Sequence, residues 1–384
     1  MTGFGVANLP YGVFRRAGEA PRVGVRYGDG VLDLAALAAD GLLEDRAGAF
    51  SQPALNAFMA QGPRAWAATR DRLQRLLSGV DAEPRLIALD EVQLLLPFAV
   101  ADYVDFWSSI HHAANSGRIF RPDGDPLPPN WRHMPIGYHG RSGTVVVSGS
   151  PVRRPHGQSR ASDGPVIGPT RKLDVELELG FVVGTPSALG EPVAVGRALE
   201  HVFGVVLLND WSARDLQAWE SRPLGPFTGK SFATSISAWV VPMAALEPFR
   251  VPGGDQEPAP PAYLREDPWA VDVGLEIELN GESVARTNGR HLYWSVAQQI
   301  AHLTANGASL RTGDLLGSGT ISGPEREERG SLLELSWNGA EPLTLRDGTQ
   351  RTFLEDGDEA VLRGVAGSGD DAVALGEVRG QVVG

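Results

Sequence analysis

Leu173-Asp174-Val175-Glu176-Leu177-Glu178-Leu179-Gly180-Phe181-Val182-Val183 alternates apolar with acidic side chains through its first half. A period of two marks a β-strand, because successive side chains point to opposite faces. Leu173, Val175, Leu177, Leu179 and Phe181 share one face; Asp174, Glu176 and Glu178 share the other. Glu176 and Glu178, at i and i+2, then project side by side about 7 Å apart. Spacing leaves two readings open. One is a solvated strand face, which Asp174 in the same row favours. The other is a pair of hard-cation ligands, for which oxygen donors select Mg²⁺ or Ca²⁺ over zinc.

The same β signal recurs along the chain. Thr144–Val147, Val202–Leu208, Ile236–Val241, Val271–Leu279, Leu332–Trp337 and Ala360–Leu362 read as strands. Val23–Tyr27 and Val31–Leu34 flank Gly28-Asp29-Gly30 as a hairpin. Helical spacing covers Pro63–Ser78, Ser108–Asn115 and Trp294–Thr304, with Gly117 placed like a helix stop. Arg153–Thr170 and Val251–Pro261 read as Gly/Pro/Ser-rich loops. The pattern predicts a mainly β, α+β protein. Residues 1–97 form a small domain without visible chemistry, and residues 98–384 form a larger one.

A length of 384 residues suits that division, and 42% hydrophobic with 21% charged residues is ordinary for a globular chain. A net charge of −13 argues against a nucleic-acid or anionic-membrane partner. With no cysteine there is no disulfide, thiolate metal site or Cys nucleophile. No run approaches the roughly 18 apolar residues of a membrane span. Met1–Gly5 lacks the features of a signal peptide, so a cytoplasmic location is expected.

Four acids, Asp105, Glu176, Glu178 and Asp210, fall within one region that also holds His112 and Lys230. Carboxylates gathered without a cation repel one another and resist burial; a divalent ion reverses that. Only Lys172 and Lys230 break the use of Arg among the 34 basic residues, which points to a task for Lys230 that needs a compact ammonium. Asn209–Gln217 follows an apolar strand and opens a helix, with Ser212 and Asp215 spaced as a capping box. Arg214 and Gln217 lie on one face of that helix and can offer several N–H donors to an oxyanion, or form an exposed polar face. Gly225–Ser231 fails as a phosphate loop: Leu224 stands where glycine is needed, and Pro226 removes an N–H. No serine sits in a G-x-S-x-G elbow. One of His111 and His112 suits a general base, though adjacency does not choose between them. Glu334, on an apolar strand, is a candidate to orient it.

Five ordered segments carry a resemblance: Asp102–Phe106, Pro135–Arg141, Asp174–Glu178, Asn209–Asp215 and Ser318–Gly323. With Asn8–Gly12 near the start, the chain resembles the fumarylacetoacetate hydrolase family over nearly its whole length. The resemblance implies an SH3-like β N-terminal domain, a C-terminal mixed β-roll and a homodimer. It implies hydrolysis of a carbon–carbon bond in a small diketo acid, fumarylacetoacetate, the last hydrolysis of tyrosine catabolism. It assigns Asp105, Glu176, Glu178 and Asp210 to a Ca²⁺ or Mg²⁺, with Lys230 and Thr234 beside it. His112 becomes the base, Glu334 its partner, and Arg214, Gln217 and Lys230 the oxyanion donors. Arg121, Tyr138 and Thr320 match substrate contacts. The chain departs from the pattern at Trp107 and Ser221, each in place of a tyrosine at a substrate-contact position, and at Ala233 in place of glycine. Other diketo-acid hydrolases, decarboxylases or isomerases stay open, as does a non-catalytic metal-stabilised binding protein.

Overall fold

The computed structural model describes residues 3–79 and 86–384. At its centre the Leu177–Val183 strand pairs antiparallel with Val202–Asp210, with Leu177 opposite Asn209 and Glu178 opposite Leu208. Every residue of both strands is buried, so the acidic face has no solvated side. The reason is a sheet covered on both faces. Leu177, Leu179, Phe181, Val205 and Leu207 join a core with Val273, Leu275, Leu362 and Leu375 of a separate five-stranded sheet. Val182, Val206 and Leu208 join a second core with Tyr11, Val13, Phe58 and Leu73.

The central sheet has thirteen strands among the described residues. Leu315–Gly317 lies antiparallel to Leu177–Val183; Tyr103–Phe106 runs parallel to it, and Gly137–His139 lies antiparallel beyond. This register sets Gly317 opposite Asp105 and Asp105 opposite Tyr138. On the other flank Thr234–Ile236 sets Thr234 opposite Asp210. Cross-strand partners sit about 5 Å apart, so pairing alone assembles side chains distant in sequence.

The hairpin of Arg22–Tyr27 and Gly30–Asp33 forms as expected. Tyr11–Arg15 pairs with it and with Trp239–Pro242, which ties the N-terminal strands into the central sheet. The Pro63–Leu77 helix starts on its proline and buries Leu73 and Leu76. No helix of the described residues is long and apolar enough to cross a membrane.

Several local expectations need correction. Leu332–Leu335, read as part of a strand, is a short helix capped by Ser331, whose hydroxyl accepts from the Glu334 amide. Its apolar run carries no period that separates strand from helix. Arg153–Thr170 contains a hairpin of His156–Ala161 and Gly164–Pro169. The helix expected over Ser108–Asn115 runs Ile110–Phe120, through Gly117 rather than stopping at it. That glycine admits a neighbour: a Cβ there would lie 1.8 Å from the Pro126 carbonyl oxygen. The helix at Arg214–Glu220 has no side-chain cap, and Ser212 Oγ donates instead to the Asp210 carbonyl. Ile236–Val241 divides into Thr234–Ile236 and Trp239–Pro242. Val296–Leu303 is a helix with a Ser295–Gln298 capping box.

Candidate active site

The Ile110–Phe120 helix places His112 and His111 in different surroundings. His112 is buried, and its Nδ1 lies 2.7 Å from Glu334 Oε2. His111 is half-buried and stacks edge-on against His291, 5.8 Å between ring centres. The contact that adjacency left open is therefore made by His112. Glu334 is fully buried; Ser322 Oγ and Ser331 Oγ each donate to its Oε2 at 2.9 Å, and Asn115 Nδ2 donates to Oε1 at 2.9 Å. Burial pushes this carboxyl up, but His112 and these donors outweigh it and hold it below the usual carboxylate range. An ionised Glu334 can only accept, so Nδ1 carries the imidazole proton and Nε2 is left as an acceptor.

Asp105, Glu176, Glu178 and Asp210 are all buried, and one ligand oxygen from each lies within 4.8 Å of the others. Lys230 Nζ donates to Glu176 Oε2 at 2.6 Å and to Asp210 Oδ2 at 2.9 Å. Thr234 Oγ1 donates to Asp210 Oδ1 at 2.9 Å, and the Tyr138 hydroxyl donates to Asp210 Oδ2 at 2.8 Å. Burial would raise the Glu176 carboxyl; Lys230 and Arg214 outweigh it and hold the group below its usual range. Burial would likewise lower Lys230, yet Asp210 and Glu176 keep its ammonium charged above its usual range.

Asp105 and Glu178 lack such cations. Burial pushes both carboxyls well up, and Asp210 beside the first and Asp105 beside the second push further. Asp105 Oδ1 and Glu178 Oε1 are buried without a hydrogen-bond partner. Gly317 leaves the space between them clear, since a Cβ there would lie 2.8 Å from Asp105 Oδ1 and 2.9 Å from Glu178 Oε2. Orphaned carboxylate oxygens around an open space are what a hard cation requires, so these residues fit a metal ion.

Arg214 borders both groups. Its Nε donates to Asp174 Oδ2 at 2.8 Å, and its Nη1 lies 2.6 Å from Glu176 Oε1 and 3.2 Å from Gln217 Oε1. Its Nη2 is buried without a partner. Backbone pairing of Glu176 with Ser331 joins the carboxylate cluster to the helix of Glu334. A cavity of about 360 Å³ opens beside the cluster, lined by Tyr103, Tyr138, Arg141, Asp210, Phe227 and Lys230.

The remaining residues are spread more widely. Thr320 is buried with its hydroxyl unpartnered. Trp107 packs on a cluster with Trp131 and Tyr293, and its carbonyl accepts from Trp131 Nε1. Ser221 ends the Arg214–Glu220 helix and is half-exposed, while Ala233 is buried in the main core. Arg121 ends the His112 helix with its guanidinium on the Pro126 carbonyl; nine residues of helix span about 13 Å. Sequence reasoning missed Asp174, Ser322 and Asn115. For Asp174 a signal existed, since it belongs to the same acidic row as Glu176 and Glu178.

Known proteins resemble this chain over nearly its whole length. Residues 7–97 match the family model described as fumarylacetoacetase N-terminal, and residues 103–383 match fumarylacetoacetate hydrolase C-terminal. The fumarylacetoacetase of Homo sapiens is 46% identical, covering 99% of this chain and 96% of its own. That of Caenorhabditis elegans is 47% identical over the same shares, and that of Arabidopsis thaliana 45%. Among solved structures, a fumarylacetoacetate hydrolase from Exiguobacterium antarcticum shares the fold at a TM-score of 0.59 and 18% identity, covering 98% of this chain and 99% of that one. A maleylpyruvate hydrolase from Sphingobium sp. SYK-6 shares it at 0.55 and 18%, with the same coverage. By both of its domain models and by near-full-length identity to these enzymes, the chain belongs to the fumarylacetoacetate hydrolase family.

Proposed function

We propose that this protein hydrolyses the carbon–carbon bond of fumarylacetoacetate to fumarate and acetoacetate, as the last hydrolysis of tyrosine and phenylalanine catabolism. The observation that carries the reading is the buried His112–Glu334 pair, joined through Glu176 to a four-carboxylate cluster and to an arginine N–H without a partner.

His112 Nε2 takes a proton from water while Glu334 holds the ring and offsets its charge. The hydroxide attacks the carbonyl on the fumaryl side. Arg214 Nη2, the Gln217 amide and the third Lys230 N–H face the oxyanion; one such donor is typically worth about 3–4 kcal/mol. Collapse breaks the carbon–carbon bond, the electron pair leaves with the acetoacetate fragment, and the proton held on His112 returns to that carbon. Asp105, Glu176, Glu178 and Asp210 would hold a Mg²⁺ or Ca²⁺, which supplies Lewis-acid stabilisation of the charge on the departing fragment. Lys230 and Thr234 fix the carboxylates of that set. Tyr138, Thr320, Arg121, Trp107 and Ser221 belong to the substrate pocket in this reading.

The same proposal divides the chain into an SH3-like domain of residues 1–97 and a β-roll of residues 98–384, and carries over the homodimer and cytoplasmic setting expected from the sequence. The test is loss of the conjugated enol absorbance of fumarylacetoacetate with purified protein, before and after chelation. Turnover that stops on chelation and returns with Mg²⁺ or Ca²⁺ is expected. No turnover with metal present would overturn the substrate and move the search to other acylpyruvates.

A further inference from the structure

Asp174 is fully buried, and its two oxygens meet four donors. Oδ1 accepts from the amides of Val175 at 2.8 Å and Leu332 at 2.7 Å. Oδ2 accepts from the Leu333 amide at 3.0 Å and from Arg214 Nε at 2.8 Å. Four donors fill the accepting capacity of a carboxylate. Leu332 and Leu333 open the short helix that carries Glu334. One buried side chain thus grips the partner of the base on one side and the oxyanion donor on the other.

The consequence for Arg214 follows from its shape. A guanidinium is planar, and two anchored nitrogens fix the direction of the third. Asp174 holds Nε and Glu176 holds Nη1, so the unpartnered Nη2 has one direction left. Without Asp174 the remaining contacts, to Glu176 and Gln217, both act on Nη1 and leave the plane free to turn about that one nitrogen.

We infer that Asp174 is a positioning residue of the hydrolysis, which aims Arg214 Nη2 and locks the Glu334 helix to it without touching substrate. This rests on the functional reading above. Asp174→Asn keeps the shape and removes the charge and one acceptor. Supporting groups of this kind typically contribute about 10- to 100-fold in activity, so kcat is expected to fall by that factor while KM moves less than about threefold. In an Arg214→Lys background the same substitution should cost at least about threefold less, because the donor it aims is gone. A merely structural role would give equal losses in both backgrounds, and that result would overturn the inference. So would a folded Asp174→Asn enzyme with unchanged kcat. Asp174→Glu, which keeps the charge, goes through the same cycle if the asparagine variant does not fold, and losses that simply multiply there overturn the inference equally. Wild-type inactivity on fumarylacetoacetate defeats the functional reading and this inference with it; active wild type with uncoupled Asp174 defeats this inference alone.

Discussion

Glu334→Gln isolates the charge of the dyad, because the local bonding dictates how the amide sits. Oε2 of Glu334 accepts from His112 Nδ1, Ser322 Oγ and Ser331 Oγ, whereas Oε1 accepts from Asn115 Nδ2 alone. An NH₂ on the first side would face three donors; on the second it faces one. The glutamine therefore keeps its oxygen on His112, and the imidazole stays in place. What is lost is the negative charge opposite the imidazolium that forms when water gives up its proton. A hydrogen bond to a charged group contributes about 1.5–3 kcal/mol, which is roughly 10- to 150-fold in kcat. KM should move less than about threefold, since among the described residues the Glu334 carboxylate bonds only to His112, Asn115 and the two serines. The Asn115 clash leaves one part-buried donor unpaired and costs at most about 1 kcal/mol of stability, visible as a lower thermal midpoint. The assay is steady-state loss of enol absorbance at a temperature where the variant is folded, with calorimetric Mg²⁺ binding as a control. A folded variant within threefold of wild-type kcat would refute Glu334 as the partner of the base. A raised KM at constant kcat would place it in substrate binding instead.

Lys230→Arg conserves charge but puts a fork where a compact ammonium touches two carboxylates; kcat should fall about 10²–10³-fold, and near-normal turnover would refute the role. Gly317→Ala places a methyl against Asp105 and Glu178 and should weaken Mg²⁺ or Ca²⁺ binding about tenfold or more, a range seen when residues supporting a metal site are changed; unchanged calorimetric affinity would refute the assignment of that space to a cation. Asp314, away from the site, is pushed by burial up to about 6, above the roughly 3.9 of an unfolded chain. The folded state then binds more protons than the unfolded one between those values, so stability falls as pH rises through them. The thermal midpoint of wild type should drop relative to Asp314→Asn from pH 5 to pH 8, and parallel curves would refute it.

The parts of this protein legible in its sequence are those encoded by neighbours along the chain. The two-residue period is borne out over Leu177–Val183, while tertiary pairing breaks the expected Leu173–Val183 strand and sets Leu173–Asp174 against Ser212–Ala213 in a separate sheet; the hairpin about Gly28-Asp29-Gly30 and the helix at Pro63 need no tertiary partner to be read. The acidic residues of the cluster stood out because charge resists burial without a counter-ion, and Lys230 because the chain otherwise uses arginine. Tertiary structure alone decided the rest. Asp174 looks like a solvated member of an acidic row, but it lies on a short strand paired with Ser212–Ala213 outside the central sheet, where the Leu332 and Leu333 amides and Arg214 enclose it. Leu332–Leu335 becomes a helix because Ser331 and the distant Asp174 satisfy its first amides, a capping arrangement no local period encodes. His112 is separated from His111 by which way one turn of helix faces Glu334, over two hundred residues away. Asp105, Glu178 and Asp210 meet because strand register sets them side by side, and register is a property of the assembled sheet.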